Sequence, residues 1–375
     1  MRYEYIDTPD QLTALLQRLA GEPLLGVDTE AAGYHRYLDR LSLVQISSRA
    51  ANFLIDPLSV SDLRPLAALF EDPGVEKVFH DADFDLRILN RDVGLTISGL
   101  FDTQIAAAFL GERSLGLGAL VERFLGLKLP KAYQRADWAE RPLSEGMKDY
   151  AATDTAHLPE LRDRLRKELV ERGRLAWAEE EFARREGIRW SEPEDPQDAF
   201  LRVKGARDLT PRGLAILREL HRWREEVARE RDQATFRVLS NQAMIALSLR
   251  PPAGRGELAA VEGISEGLAD RRGREIMAAV QRGLALPESE LPRFPAARRW
   301  ERDPEVEARS ERLRDARNRV AETLGLDPGF LMSRALLDEI ARRTPHTPGE
   351  LLEVPDVRRW QVEALGGELL RAVRG

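Results

Sequence analysis

Three short apolar runs near the start of the chain, joined by very short connections, constrain the fold more than any other feature. They span Leu24–Thr29, Leu41–Ser47 and Asn52–Ile55, and each has the length of a β-strand. The connecting stretches, GYHRYLDR and SSRA, are too short for the crossover helix that parallel neighbours need. The sequence therefore predicts three consecutive strands in an antiparallel meander.

Helical signals follow the meander and alternate at first with one more strand. We predict a helix over 62–71, a strand over Glu76–His80 and a helix over Asp81–Val93. Further helices are predicted at 103–110, 115–125, 144–152 and 155–171. Antiparallel strands followed by a β-α-β pattern predict an α/β domain with a mixed sheet over residues 1–190.

The rest of the chain is predicted to be helical and to contain two related segments. Prolines and acidic residues at 191–206, and prolines at 287–304, indicate linkers. The helical regions are 207–286 and 305–375. In the first of them, Thr210 is expected to be the N-cap and Pro211 the first residue of a helix. Each region begins with a long charged helix, continues with a short helix and ends with a turn and another helix. We interpret them as distant copies of one unit.

Composition excludes several classes of protein. None of the 375 residues is cysteine, which excludes disulfides, thiol catalysis and cysteine–zinc sites. No apolar run reaches the roughly 18 residues of a transmembrane helix, and no signal peptide is recognisable, so we expect a cytoplasmic protein without a membrane partner. The net charge of −7 argues weakly against wholesale nucleic-acid binding, but not against a local basic groove or a metal site. No pattern indicates an oligomer, and we expect a monomer.

The stretch GVDTEAAG places two carboxylates at the end of the first predicted strand. Residues two apart on a strand face the same side, so Asp28 and Glu30 project together while Thr29 faces away or offers its backbone. Taken alone, the motif is explained equally well by two loop carboxylates at the exit of a strand.

A second segment, VFHDADFDLRIL, again leads an apolar strand into carboxylates. Asp81 or Asp83 is expected to cap the following helix, where the helix dipole stabilises acids. Asp85 lies one turn inside the helix, deeper than a cap needs. His80, at the end of the strand, is either a core histidine or a substrate contact.

A third segment, YAATDTAHL, places Tyr150 and Asp154 on one face of a helix, an arrangement that by itself needs no function. Together the three segments supply four acids, namely Asp28, Glu30, Asp85 and Asp154. Crowded carboxylates repel one another, and a divalent cation removes that penalty. Oxygen ligands without histidine or cysteine favour Mg²⁺ or Mn²⁺ over Zn²⁺. Two such ions about 4 Å apart activate water and stabilise the leaving oxygen in phosphoryl transfer.

The order of these motifs resembles the DEDD exonuclease superfamily, in its tyrosine-bearing subgroup. DTE, HDADFDLRIL and YAATD occur in that order, and LSLVQIS, FDTQIAAAFLG and DWAERPLSEGMKDYAATD are similar to characteristic stretches of the ribonuclease D family. Residues 208–286 resemble the helicase-and-RNase-D C-terminal (HRDC) domain, and 305–373 resemble a second, divergent copy. The resemblance implies a ribonuclease-H-like α/β exonuclease domain followed by two all-α HRDC-like domains.

The same resemblance implies a 3′→5′ exoribonuclease that uses two divalent ions, Mg²⁺ or Mn²⁺, and releases nucleoside 5′-monophosphates. The expected partners are RNAs with a single-stranded 3′ end, tRNA precursors above all. The family's metal ligands correspond to Asp28, Glu30, Asp85 and Asp154. The family's motif tyrosine corresponds to Tyr150. A free phenol is a poor base at neutral pH, so the expected role of Tyr150 is to orient the attacking water. The family's nucleotide contacts correspond to Thr29, Gln45 and His80.

Two other functions are compatible with these motifs. A 3′→5′ DNA exonuclease of the same superfamily would carry the same acids, because the contact to the 2′-hydroxyl that selects RNA is not visible in a sequence. A catalytically dead adaptor that only binds nucleic acid is disfavoured, because all four acids and Tyr150 are present.

Two further regions carry residues suited to nucleic acid. In the loop 129–142, Trp138 is expected to anchor the loop to the core rather than to stack on bases. In the first helical region, arginines could form a phosphate-binding face, but interspersed glutamates favour a solvated, salt-bridged helix. These arginines are Arg207, Arg212, Arg218, Arg222 and Arg224.

Overall fold

The computed structural model describes residues 2–192, 196–295 and 303–375. Contacts divide these residues into two compact units. The sheet unit consists of 2–30, 41–190 and 303–375, and the helical unit consists of 31–40, 191–192 and 196–295. Each of these units combines separate stretches of the chain, whereas the domains predicted from the sequence are continuous. The predicted domain limits therefore remain predictions.

A six-stranded mixed sheet lies at the centre of the sheet unit. Its strands are β1 (Glu4–Ile6), β2 (Leu24–Ala31), β3 (Leu41–Ser47), β4 (Asn52–Ile55), β5 (Glu76–Phe79) and β6 (Leu100–Asp102). Their order across the sheet is β1-β4-β3-β2-β5-β6. The β3–β4 pair is antiparallel, whereas the β1–β4, β2–β5 and β5–β6 pairs are parallel. The predicted α/β fold with a mixed sheet is confirmed.

Sequence analysis misses two edge strands and the first helix. β1 and β6 have three residues each, too few to show a periodic pattern. Helix α1 spans Pro9–Leu19, and its start signals are present in the sequence. Thr8 and Gln11 form a capping box, and Pro9 occupies the first turn, where its missing N–H is not needed.

The next helices of the sheet unit follow the prediction closely, with two differences. They are α2 (Ala67–Phe70), α3 (Asp83–Val93), α4 (Thr103–Phe109), α5 (Leu117–Leu125), α6 (Glu145–Ala156), α7 (Leu158–Glu171) and α8 (Leu175–Glu186). The prediction omits α8. The helix predicted over 62–71 is wrong in its first half, where a 3₁₀ turn at Arg64–Leu66 precedes the single turn of α2. Pro65 lacks the amide hydrogen that a longer helix would need there.

The helical unit contains five helices. They are α9 (Pro211–Glu230), α10 (Thr235–Val238), α11 (Asn241–Leu249), α12 (Arg255–Leu258) and α13 (Glu266–Ala285). The Thr210 hydroxyl accepts from the Gly213 amide and caps α9, as the sequence predicts. A 3₁₀ turn at Pro196–Arg202 falls within the predicted linker, and Phe200 and Val203 are buried in the core of this unit. This part of 191–206 therefore packs as part of the unit.

The last five helices repeat the order of long, short, medium, short and long segments. They are α14 (Pro304–Leu324), α15 (Pro328–Leu331), α16 (Arg334–Arg343), α17 (Pro348–Leu352) and α18 (Arg359–Arg374). Within the sheet unit they share a core with α4 and the α7–α8 region: the Trp360 ring lies 4.9 Å from that of Phe109, and the Arg174 guanidinium donates to the Leu324 carbonyl over 2.6 Å. Within the described residues, no helix is long and apolar enough to cross a membrane.

Candidate active site

β2 carries two carboxylates on the face that α6 covers. Gly26 on this strand lies against the carbonyl of Thr155 in α6, and the alternation of the strand places Asp28 and Glu30 on the same side as Gly26. Asp28 and Glu30 are partly buried. Thr29 is buried on the opposite face, in agreement with the predicted alternation.

Helix α6 presents Tyr150 and Asp154 from consecutive turns. The Ser144 hydroxyl begins the helix by accepting a hydrogen bond of 3.2 Å from the Met147 amide. The four-residue spacing then places Tyr150 and Asp154 on one face of the helix, where the charge of Asp154 helps to raise the pKa of the phenol. The predicted pairing of these two side chains on one helical face is confirmed.

The close approach of α6 to the sheet depends on small residues. Ala151 and Ala152 are buried in the contact. The Ser47 and Thr155 hydroxyls share a hydrogen bond of 2.6 Å, which ties α6 to β3. A Cβ atom added at Gly26 would lie 2.8 Å from the Thr155 carbonyl oxygen, closer than side-chain carbons approach backbone oxygens. The position of Asp154 relative to β2 therefore depends on Gly26.

Three of the predicted ligands form one cluster. Carboxylate oxygens of Asp28, Glu30 and Asp154 all lie within 4.8 Å of one another. Burial and the neighbouring charges of Asp85 and Glu30 raise the pKa of Asp28 well above its ordinary value, and burial together with Asp154 and Asp85 does the same to Glu30. Burial raises the pKa of Asp154 to about 7, although the Tyr150 hydroxyl opposes the shift. The raised pKa values reflect burial and repulsion between neighbouring carboxylates, and a bound divalent cation would offset both effects. The cluster therefore fits a cation that prefers hard oxygen ligands.

Asp85 lies beside this cluster rather than within the group of three. It is buried in the first turn of α3, and its Oδ1 accepts a hydrogen bond of 2.5 Å from the Thr29 hydroxyl. Burial raises its pKa to about 7, against the opposing effect of Thr29. Its charge nevertheless raises the pKa of both Asp28 and Glu30, so Asp85 belongs to the same electrostatic site.

The expectation that Asp81 or Asp83 caps α3 is wrong. The helix begins after Ala82, and no side chain caps its first turn. The Asp102 carboxylate, from the end of β6, instead accepts from the backbone amides of Asp81 and Ala82 at 3.2 and 3.0 Å. Asp83 pairs with Arg87 along the helix over 2.8 Å. A long-range partner, which local spacing does not reveal, thus fixes the turn that leads to Asp85.

Tyr150 lies against aromatic rings of the loop 129–142. The centroids of the Tyr133 and Trp138 rings are 6.1 and 6.2 Å from its own. Trp138 is buried, which confirms that it anchors the loop to the core. Burial, followed by the charges of Asp154 and Glu30, raises the pKa of Tyr150 above its ordinary value, so the phenol stays neutral near pH 7.

A partly buried ion pair that the sequence does not predict holds this loop in place. Arg141 binds Asp56 through two hydrogen bonds of 2.8 and 2.7 Å, and it also donates to the backbone carbonyls of Trp138 and Ser42. The Tyr5 hydroxyl donates to the same carboxylate over 2.8 Å. The partners are 85 residues apart, so only the tertiary fold brings them together.

The three predicted nucleotide contacts, Thr29, Gln45 and His80, remain predictions. The structure shows which protein groups surround each side chain. Thr29 donates its hydroxyl to Asp85. Nδ1 of His80 lies 2.9 Å from Oγ1 of Thr103, whose hydroxyl donates to the Phe79 carbonyl, and burial lowers the pKa of His80. Gln45 is fully buried on β3, and among the described residues its amide group has no hydrogen-bond partner.

The arginines of α9 are engaged in ion pairs and backbone contacts, which confirms the prediction of a salt-bridged helix. Glu219 lies 3.5 Å from Arg218 and 3.4 Å from Arg222. Arg224 is buried and donates to the side chain of Asn241. Arg212 donates to carbonyls at the end of α13 and pairs with a glutamate over 2.8 Å. These side chains therefore stabilise the helical unit.

Family models match most of the chain. A model described as 3′-5′ exonuclease matches residues 3–170, and a model described as HRDC domain matches both 213–280 and 306–373. The two HRDC matches agree with the two similar helical segments predicted from the sequence.

Named relatives match over similar lengths. Ribonuclease D of Pseudomonas paraeruginosa is 37% identical over 94% of this chain and 92% of its own length. Ribonuclease D of Escherichia coli is 34% identical over 78% of each chain. The crystal structure of the Escherichia coli enzyme, described as an exoribonuclease involved in structured RNA processing, matches with a TM-score of 0.69 and 28% identity over 100% of this chain and 99% of that one. A Bifidobacterium adolescentis protein matches with a TM-score of 0.79 and 29% identity over 99% and 97%.

The α/β sheet domain and the two HRDC-like regions agree with the matched family models. The chain belongs to the ribonuclease D family of 3′-5′ exoribonucleases.

Proposed function

We propose that the chain removes nucleotides one at a time from the 3′ end of RNA, using two divalent ions, Mg²⁺ or Mn²⁺, and releasing nucleoside 5′-monophosphates. The observation that carries this proposal is the cluster of Asp28, Glu30 and Asp154, whose oxygens lie within 4.8 Å of one another. These three side chains and Asp85 would hold the ions. Hard oxygen donors without histidine or cysteine suit both metals.

The ions, when bound, would supply an activated water and neutralise charge on the reacting phosphate. Tyr150 would hold that water in line with the terminal phosphodiester. The raised pKa of its phenol supports this role, because a neutral hydroxyl both donates and accepts hydrogen bonds but is not a base near pH 7. The charge of Asp154 helps to keep the phenol protonated, and the rings of Tyr133 and Trp138 restrict its position.

The substrates we propose are structured RNAs with a single-stranded 3′ end, tRNA precursors in particular. The described role of the Escherichia coli relative in structured RNA processing supports this choice, as does similarity over nearly the whole length of that structure. Recognition of RNA rather than DNA requires a contact to the 2′-hydroxyl.

The test follows a 5′-labelled single-stranded RNA and its DNA counterpart in Mg²⁺ or Mn²⁺, with EDTA as a control. We expect RNA to shorten stepwise from its 3′ end, and EDTA and Asp28→Ala to abolish the reaction. Asp83→Asn is the matched control, because it removes a carboxylate that pairs with Arg87 outside the cluster. Thin-layer chromatography of the products from a second, uniformly labelled RNA should show nucleoside 5′-monophosphates.

Two results would contradict the proposal. Equal or faster shortening of DNA would make the chain a DNA exonuclease. Binding of RNA without shortening in either metal would make it an adaptor.

A further inference from the structure

Within the helical unit, hydrogen bonds hold segment 31–40 against the stretch between α9 and α11. The Ala234 amide donates to the His35 carbonyl over 3.0 Å, and the Arg237 guanidinium donates to the Tyr34 carbonyl over 3.1 Å. The Tyr37 amide donates to the Asp232 carboxylate over 3.3 Å. These contacts join residues about 200 positions apart and hold the segment in one conformation.

Two aromatic rings remain exposed at this junction. Tyr34 and Phe236 have their ring centroids 5.4 Å apart and keep 41% and 48% of their surface in contact with solvent. The guanidinium of Arg237 lies 5.2 Å from the Tyr34 centroid and 5.8 Å from that of Phe236. The rings and the cation thus form one continuous surface, which we call the aromatic surface (Tyr34, Phe236 and Arg237).

A second cation and a second ring lie on the same segment. Arg229 donates to the Tyr37 hydroxyl over 3.0 Å and places its guanidinium 5.2 Å from the ring centroid. Tyr37 and Arg229 also line a cavity of about 630 Å³. The cavity wall mixes arginines with acids such as Glu225 and Glu226, so its charges largely cancel. The aromatic surface, with two exposed rings beside a guanidinium, is therefore better suited than the cavity to a ligand that combines flat rings with negative charge.

We propose that the aromatic surface binds single-stranded RNA, by stacking unpaired bases on Tyr34 and Phe236 while Arg237 contacts a backbone phosphate. Exposed rings beside an arginine match the alternation of flat bases and phosphates along a single strand. The proposal rests on the proposed function only in taking RNA as the substrate. Stacking is tolerant of sequence, so this surface would bind different RNAs alike.

The test measures binding of the full chain, in EDTA, to a 5′-fluorescein-labelled oligouridylate of about 16 nucleotides, the upper range for a single-strand groove. Fluorescence anisotropy gives the Kd, and a gel checks that the RNA stays intact. We expect the double variant Tyr34→Ala/Phe236→Ala to raise the Kd about tenfold. Leu249→Ala, which removes an exposed apolar side chain from α11 of the same unit, should leave the Kd unchanged.

Two further variants separate the contribution of ring stacking from that of the phosphate contact. Tyr34→Leu/Phe236→Leu keeps apolar bulk without the flat rings, so it should weaken binding as much as the alanine pair, even if the alanine pair also lowers the melting temperature. Arg237→Gln should reduce the slope of log Kd against log salt by about 0.7, the value for one phosphate contact on a single strand. The leucine pair should leave that slope unchanged.

A Kd within about twofold of wild type for the leucine pair would overturn the proposal, and so would an equal loss of binding in Leu249→Ala. Equally tight binding of a blunt duplex would also overturn it, because paired bases cannot stack on exposed rings. Failure of the proposed function shows separately, as the absence of 3′ shortening by the wild-type chain in Mg²⁺ or Mn²⁺.

Discussion

Gly26 sets the distance between the strand that carries Asp28 and the helix that carries Asp154. A Cβ at this position would lie 2.8 Å from the Thr155 carbonyl oxygen and 3.1 Å from Cβ of Leu158. Ordinary contact begins near 3.4 Å, so Gly26→Ala must move α6 away from β2 by about 0.6 Å. The obstacle is a backbone atom of a helix, which cannot rotate aside as a flexible side chain does.

We expect two effects of this displacement. Overpacking should lower the free energy of unfolding by about 1–3 kcal/mol, measured by urea denaturation. Misplacement of Asp154 by a large fraction of an ångström should lower kcat on single-stranded RNA about 10- to 100-fold and raise the Mn²⁺ concentration needed for half-maximal activity.

Gly118→Ala is the matched control, because a Cβ added at this position in α5 meets no atom within 4 Å. It should raise stability by roughly 0.5–1 kcal/mol, as expected for glycine replaced by alanine inside a helix, and leave kcat unchanged. A Gly26→Ala variant with wild-type kcat and wild-type Mn²⁺ dependence would refute the reasoning, because α6 would then tolerate displacement from β2 without harm to the site.

Three more predictions concern individual side chains. Asp85→Asn should lower kcat about 100-fold or more by removing a charge from the cluster, whereas Asp83→Asn in the same helix should retain wild-type turnover in the labelled-RNA assay. Tyr150→Phe should lower kcat about 100-fold with little change in KM, because it removes the hydroxyl that would orient water; an equal fall at all metal concentrations separates this from metal loss. Asp56 is buried, which by itself would raise its pKa, but hydrogen bonds from Arg141, Tyr5 and the Leu58 amide together with the Arg141 charge lower that pKa from 3.8 to about 2. The ionised carboxyl should therefore contribute about 2 kcal/mol of stability above pH 4 that is lost as the pH falls toward 2, and acid titration of Asp56→Asn should lack this loss.

The parts of the site that sequence analysis predicts are those that depend on local spacing. Strand alternation places Asp28 and Glu30 on one face, and a four-residue interval pairs Tyr150 with Asp154 on a helix. The mixed sheet follows from short connections followed by β-α-β character, which are also local signals. The two side-chain placements are each decided within about five residues of chain.

The features that sequence analysis misses depend on partners distant in the chain. The Arg141–Asp56 pair spans 85 residues, and the Asp102 contact that fixes the turn before α3 spans about 20. Segment 31–40 groups with the helical unit because Tyr37 binds Asp232, 195 residues away. No periodicity within either partner's own segment reveals such a contact, because it arises only when the elements pack.

Anomalous diffraction from crystals grown with Mn²⁺ would show whether the carboxylate cluster binds two ions. We expect two anomalous peaks at the cluster, each about 2.0–2.2 Å from carboxylate oxygens drawn from Asp28, Glu30, Asp85 and Asp154. At least one peak should disappear in Asp154→Asn crystals grown in the same way. Absence of any peak at the cluster, in wild-type crystals that bind Mn²⁺ elsewhere and from a protein that still shortens RNA, would contradict the account.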